Sequence, residues 1–224
     1  MQAEVFPGKH NSSGTLKQKT RGIILKDIIT VLYDDFETLD VFGPVEVLGT
    51  LADRFNMVFT SLNGGIVTSS QKVPVPTVPF GNPDAGSYVL LIPGGTGTRQ
   101  LVKDGEYIDH LRRLAGNAEF ILTVCTGSIL LSKTGILDGR QATSNKKVFA
   151  WTGTESPAVN WIKNARWVKD GNIYTSSGVS AGIDMALGFV SDQFGRDTAL
   201  QVARGIEYEW HEDPSWDPFA ELYG

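Results

Sequence analysis

The sequence predicts an α/β fold: a largely parallel central sheet covered on both faces by helices. Two observations carry this. Short apolar runs rich in β-branched residues alternate with segments of helical period from residue 26 to about residue 210. The composition, 41% hydrophobic and 20% charged over 224 residues, is enough for one core or two closely packed halves.

Residues 1–24 form a polar leader that reads as flexible, with Lys9, Lys17, Lys19 and Arg21 against Glu4. It has no apolar stretch of signal-peptide length. "KDIITVLY" (26–33) is a buried strand. In "TLDVFGPVEVLGTL" (38–51), Leu39, Phe42, Val45, Leu48 and Leu51 recur at three-residue steps, and Pro44 lies near the start, where a helix tolerates it. "FNMVFTSL" (55–62) is a second strand. Residues 63–87 are rich in Gly, Pro, Ser and Asn, and their "VPVPTVP" suits an edge or hairpin strand. "YVLLIPGG" (88–95) is a strand running into Pro93-Gly94-Gly95. Residues 98–117 read as a helix interrupted at Gly105. "AEFILTV" (118–124) is a strand, and "TGSILLSKTG" (126–135) is a helix closed by Gly135. "GRQATSN" (139–145) is a short strand, and a strand pair follows near Trp167–Val168 and Ile173–Thr175. Residues 180–195 and 196–210 are C-terminal helices.

Composition narrows the function. The net charge of −5 and the lack of a long Lys/Arg run argue against nucleic acid as a partner. No apolar run approaches the ~20 residues that span a bilayer, so a membrane is not expected either. A single cysteine, Cys125, forms neither an intrachain disulfide nor a cysteine-rich metal site, which points to a reducing, cytoplasmic setting.

Ligands of open parallel sheets gather beyond the carboxyl ends of the strands. Two unusual sequences sit at such ends, "IPGG" and "VCTGS". In the second, Cys125 stands where a strand turns into a helix, and Gly127 leaves room for a sharp turn. The residues leave two readings open: a buried structural cysteine, since cysteine is among the most buried residue types, or a nucleophile on an elbow. On the second reading the following helix start depresses the thiol pKa. Gly94 and Gly95 either make a plain βα turn or bring their N–H groups to a ligand. "GGTGTR" lacks the Gly-Lys-Ser/Thr ending of a phosphate loop, and G-x-G-x-x-G is absent there.

"TLDVFGPVEVL", "LIPGG", "VCTGSILLSKTGILDGRQAT", "GVSAGIDMALGFV" and "ARGIEYEW" resemble the ThiJ/PfpI superfamily, and together they reach across residues 26–210. The string Cys-Thr-Gly-Ser-x-x-Leu followed by Gly-x-Leu-x-Gly is specific. The resemblance implies a flavodoxin-like three-layer sandwich, with residues 25–224 as a single domain that includes the C-terminal helices and tail. It is nearest to isonitrile hydratase-like members, and so implies a hydro-lyase that needs no metal or other cofactor and acts on a small molecule. The expected nucleophile is Cys125, with Asp40 as its acid, Thr126 supporting the site, and Gly94, Gly95 and Thr126 binding substrate or oxyanion. Taken alone, an aspartate at a helix start is more simply a cap. A glyoxalase-type enzyme on small ketoaldehydes, and a redox-sensing or ligand-binding module, are the alternatives. The chain also departs from the superfamily pattern. Where many members place a histidine after the elbow helix, this chain has Asn145 at or beside that place. Its histidines, His10, His110 and His211, fall in the leader, on a helix face and in the tail. A Cys–His pair of the hydrolase kind is therefore poorly supported. Trp151, Trp161 and Trp167 read as packing, and the aromatic, acidic tail as a surface that covers a partner in a homodimer.

Overall fold

A computed structural model describes residues 25–223; the leader lies outside these. An eight-stranded sheet runs through the molecule. Its parallel centre is built from β2 (Phe55–Ser61), β1 (Lys26–Val31), β5 (Tyr88–Ile92), β6 (Phe120–Thr123) and β10 (Ile173–Ser176), side by side in that order. β4 (Pro74–Pro79) adds to β2 in parallel through Thr60 and Ser61. Antiparallel strands close both edges: β3 (Asn63–Thr68) on β4 and β9 (Trp167–Asp170) on β10.

Alternation along the strands sorts the core into two layers. Ile28, Val89, Leu91, Leu122 and Tyr174 face α1 (Thr38–Gly49), α6 (Ala181–Phe194) and α7 (Arg196–Gly205). Their neighbours Ile29, Leu90, Ile92, Ile121 and Ile173 face α3 (Gly105–Asn117) and α4 (Gly127–Ser132). This is the expected three-layer, flavodoxin-like sandwich. No helix among the described residues is long and apolar enough to cross a membrane.

Four elements differ from expectation. The Gly-containing segment before "VPVPTVP", to which the sequence assigns no strand, contributes β3, so the edge is a full hairpin. The single helix over 98–117 is two: α2 (Thr98–Leu101) and α3, whose N-terminus is set by the Asp104 carboxylate accepting the Tyr107 N–H at 3.1 Å. Gly105 opens α3 rather than interrupting it. Residues 146–155 hold a 3-10 turn (Lys146–Val148) running into α5 (Phe149–Glu155). Short strands β7 (Gln141–Ala142) and β8 (Asn160–Trp161) pair beside it. The last helix stops at Gly205 rather than residue 210, and the chain returns as a strap. That strap is held by a buried charge cluster: Arg166 pairs with Asp184 at 2.6 Å and faces Asp217 at 3.8 Å. The Tyr208 hydroxyl and the His211 N–H both donate to Asp184 Oδ1.

Candidate active site

The site is assembled beyond the carboxyl ends of β5, β6 and β10. At the end of β6, Cys125 adopts φ +58°, the left-handed region that a residue with a side chain enters at a cost of about 1–3 kcal/mol. The surroundings hold it there. The Cys125 N–H donates to the Ser177 carbonyl at 3.1 Å, while the Ser144 and Ser128 hydroxyls donate to the Cys125 carbonyl at 2.9 and 3.0 Å. Gly127 completes the turn, because any Cβ there would lie 2.2 Å from the Ile92 carbonyl oxygen. The cysteine is thus on a strained elbow, and it is also buried, 6% exposed.

The "IPGG" loop closes over the elbow. The Tyr33 hydroxyl donates to the Pro93 carbonyl at 2.6 Å, and Glu37 N–H donates to the Gly94 carbonyl at 2.9 Å. These contacts bring Asp40, near the start of α1, under the loop. Asp40 is fully buried. Its Oδ2 accepts the Gly94 N–H at 2.8 Å, whereas Oδ1 has no hydrogen-bond partner among the described residues. The carboxyl is not a helix cap; it faces the sulfur.

Gly94 and Gly95 serve the site differently from the expectation that their N–H groups wait for a ligand. Gly94 gives its N–H to Asp40, and Gly95 gives its own to Thr126 Oγ1 at 3.1 Å. The Thr98 hydroxyl donates to the same Oγ1 at 3.2 Å. What the glycines provide is closeness: a Cβ on Gly94 would sit 2.5 Å from the Thr126 nitrogen and 2.9 Å from Asp40 Oδ2. Thr126 lies beside the sulfur and opposes the rise of its pKa, and its hydroxyl donates to the Gly95 carbonyl at 3.4 Å.

The electrostatics correct a second expectation, that the helix start lowers the thiol pKa. Burial pushes the Cys125 thiol well above its ordinary value, and the Asp40 charge pushes it further. Hydrogen bonds from Asn145 and Thr126 oppose this without overcoming it. A helix start contributes only about 0.3–1 kcal/mol, less than the loss of water around a buried sulfur. Burial likewise raises Asp40 to about 8, and the Glu37 charge adds to the rise, against the Gly94 hydrogen bond and contacts with Cys125 and Val179. At neutral pH the Asp40 carboxyl therefore carries its proton.

Asn145 was legible only as a departure from a pattern. Its Nδ2 donates to Cys125 Sγ at 3.1 Å. The other expected placements are simpler. The His110 ring meets Arg113, and the His211 ring lies against Trp216 at 5.7 Å, so neither contributes to the cysteine site. Trp151 and Trp161 donate to Glu155 and to the Ser156 carbonyl, and Trp167 is buried. His10 lies outside the described residues. A groove of about 680 Å³ between β9, α6 and the strap is lined by Trp167, Lys169, Asp192, Arg196, Trp210 and Glu212 among others and does not reach Cys125.

Comparison with known proteins agrees with the motif reading. The DJ-1/PfpI family pattern matches residues 26–192. Isonitrile hydratase of Pseudomonas putida is 35% identical over 182 residues, which take in 80% of this chain and 76% of that protein. The HTH-type transcriptional regulator GbdR of Pseudomonas aeruginosa is 27% identical over 190 residues, 80% of this chain but only 50% of the regulator. A crystal structure of a ThiJ/PfpI family protein from Pseudomonas syringae superposes with a TM-score of 0.73 at 28% identity, covering 94% of this chain and 86% of that one.

Proposed function

The chain belongs to the DJ-1/PfpI family, and on that premise we propose that it is an isonitrile hydratase, adding water to an isonitrile to give an N-substituted formamide by way of Cys125 and without a cofactor. The buried Cys125–Asp40 pair supports the reading most. Both groups are pushed toward their protonated forms, so at neutral pH the pair offers an acid beside a nucleophilic sulfur. An isonitrile suits this arrangement, since its terminal carbon accepts a proton and a nucleophile in turn.

Asp40 gives its proton to the isonitrile carbon, the sulfur bonds to that carbon, and the thiol proton passes to Asp40. The product is a thioimidate, R–N=CH–S–Cys125. Water then adds to the same carbon, with one of its protons reaching the nitrogen through Asp40. The C–S bond breaks, the sulfur takes the remaining proton, and the formamide leaves. Thr126, beside the sulfur, steadies charge on it while bonds change. A glyoxalase-type reaction calls for a group that removes a proton from carbon. The Asn145 amide cannot do this, and Asp40 is protonated at neutral pH. Redox sensing favours an exposed thiol of low pKa, and this thiol is buried with a raised pKa.

The enzyme works as a homodimer on this reading. The tail keeps Trp216, Phe219 and Leu222 exposed, and Leu39, beside Asp40, is 39% exposed next to a groove lined by Ile183, Ile206 and Tyr208. Light scattering should give about twice the 24.3 kDa chain mass; a monomer at micromolar concentration rejects this part. The activity itself is tested by mixing the purified protein with a small alkyl isonitrile and following the formamide proton by NMR. The expected result is catalytic conversion by the wild type and none by Cys125→Ala of unchanged melting temperature. No formamide above the buffer rate, or equal conversion by the variant, sinks the proposal.

A further inference from the structure

We propose that Asn145 is a catalytic residue of this site: its side-chain amide is the donor that holds the Cys125 sulfur and stabilises the thiolate as it forms. Three observations carry this. Asn145 Nδ2 lies 3.1 Å from Cys125 Sγ, within contact of the reacting atom. The amide is not free to turn, because its Oδ1 accepts the Lys147 N–H at 2.9 Å, which commits the NH₂ group to the sulfur. The opposite wall is cut to fit. Gly178 faces the amide so closely that a Cβ there would fall 2.4 Å from Nδ2. The segment around Asn145 is fixed as well: Ser144 donates to the Cys125 carbonyl, and the buried Lys146 ammonium donates to Thr143 Oγ1 and the Ala165 carbonyl, each at 2.7 Å.

The chemistry of the amide follows. It donates a hydrogen bond but takes no proton at any working pH. Its effect on the sulfur is to favour the ionised form, opposing burial. The thiol proton then has Asp40 or the substrate as its destination, which confines the sulfur to addition chemistry with proton return through one carboxyl. The titratable groups that face Cys125 are Asp40 of α1 and Tyr33 after β1, with Glu37 acting on Asp40 in turn.

The test separates this assignment from a structural one. Thiolate absorbance is titrated in wild type, Asn145→Ala and Asn145→His, each against a Cys125→Ser blank, with melting temperatures recorded. Loss of the donor should raise the midpoint in Asn145→Ala by about one unit. A neutral imidazole N–H in Asn145→His restores a donor at this alkaline pH, so that midpoint should return toward the wild-type value. A packing role alone moves melting temperature but does not separate the donor-free midpoint from those of the wild type and the histidine variant. A midpoint in Asn145→Ala at or below that of the wild type overturns the proposal, and that variant decides alone if the histidine variant does not fold. The expected turnover loss, about 10- to 100-fold in kcat for Asn145→Ala, rests on the hydratase reading. If the wild type makes no formamide, that reading fails and the titration still judges Asn145.

Discussion

Asp40→Asn is expected to lower isonitrile turnover by about 10²–10⁴-fold, the range for loss of a positioned general acid. The substitution is close to isosteric. Asparagine Oδ1 still accepts the Gly94 N–H that Asp40 Oδ2 now receives at 2.8 Å, so the "IPGG" loop keeps its anchor. What disappears is the carboxyl proton. The same reasoning sets the pH dependence of the wild type. Asp40 must be protonated to begin the reaction, and burial has raised it to about 8. Turnover should therefore fall as pH rises through that value. Asp40→Asn should show its residual rate without that decline. Full activity in Asp40→Asn, or a wild-type rate that climbs through pH 8, contradicts the role given to Asp40.

Gly127→Ala should be among the most damaging single-methyl changes in the protein. The new Cβ would meet the Ile92 carbonyl oxygen at 2.2 Å and the Pro93 carbonyl oxygen at 2.8 Å, both backbone atoms that cannot swing aside. Overpacking of this kind costs about 3 kcal/mol, or a fall in Tm of roughly 6–12 °C for a chain of this size. Because these carbonyls lead into the "IPGG" loop, the variant should also lose turnover through displacement of Gly94 from Asp40. Gly116→Ala is the control. It lies in α3 with nothing within 4 Å of its Cβ position, and the gain in helix propensity should leave Tm unchanged or slightly raised. Equal melting temperatures for the two variants would contradict the packing of the elbow described above.

The legible part of the fold and site was local. β1, β5, β6 and β10 are apolar runs whose neighbours in the sheet hardly matter to their recognition. Cys125 and Asp40 each sit in a short string that announces a strand end or a helix start. What was not legible depends on contacts between distant segments. β3 carries "NGG" and forms as a strand because β4 pairs with it. α5, "FAWTGTE", has a weak helical composition and is held by contacts such as the Arg99 guanidinium over the Trp151 ring at 5.1 Å. The thiol pKa went the other way from expectation for the same reason. The helix start is visible in sequence, but the burial that outweighs it comes from the "IPGG" loop, α1 and the 177–180 turn closing on one atom. Asn145 joins the sulfur from 20 residues away. Only the loop geometry around Gly178 makes that approach possible.

Cys125 and Asp40 are expected to titrate as a coupled pair, the charge of the carboxylate raising the thiol. The direct measurement is thiolate absorbance against pH in wild type and Asp40→Asn, each corrected with a Cys125→Ser blank. The wild-type thiolate should appear only on the alkaline side of the ordinary cysteine value of ~8.5. In Asp40→Asn it should appear about one unit or more lower, because the neighbouring negative charge is gone, even though turnover is slower. Superimposable curves, or a wild-type thiolate already formed below neutral pH, would contradict the coupling of Cys125 to Asp40 and the mechanism built on it.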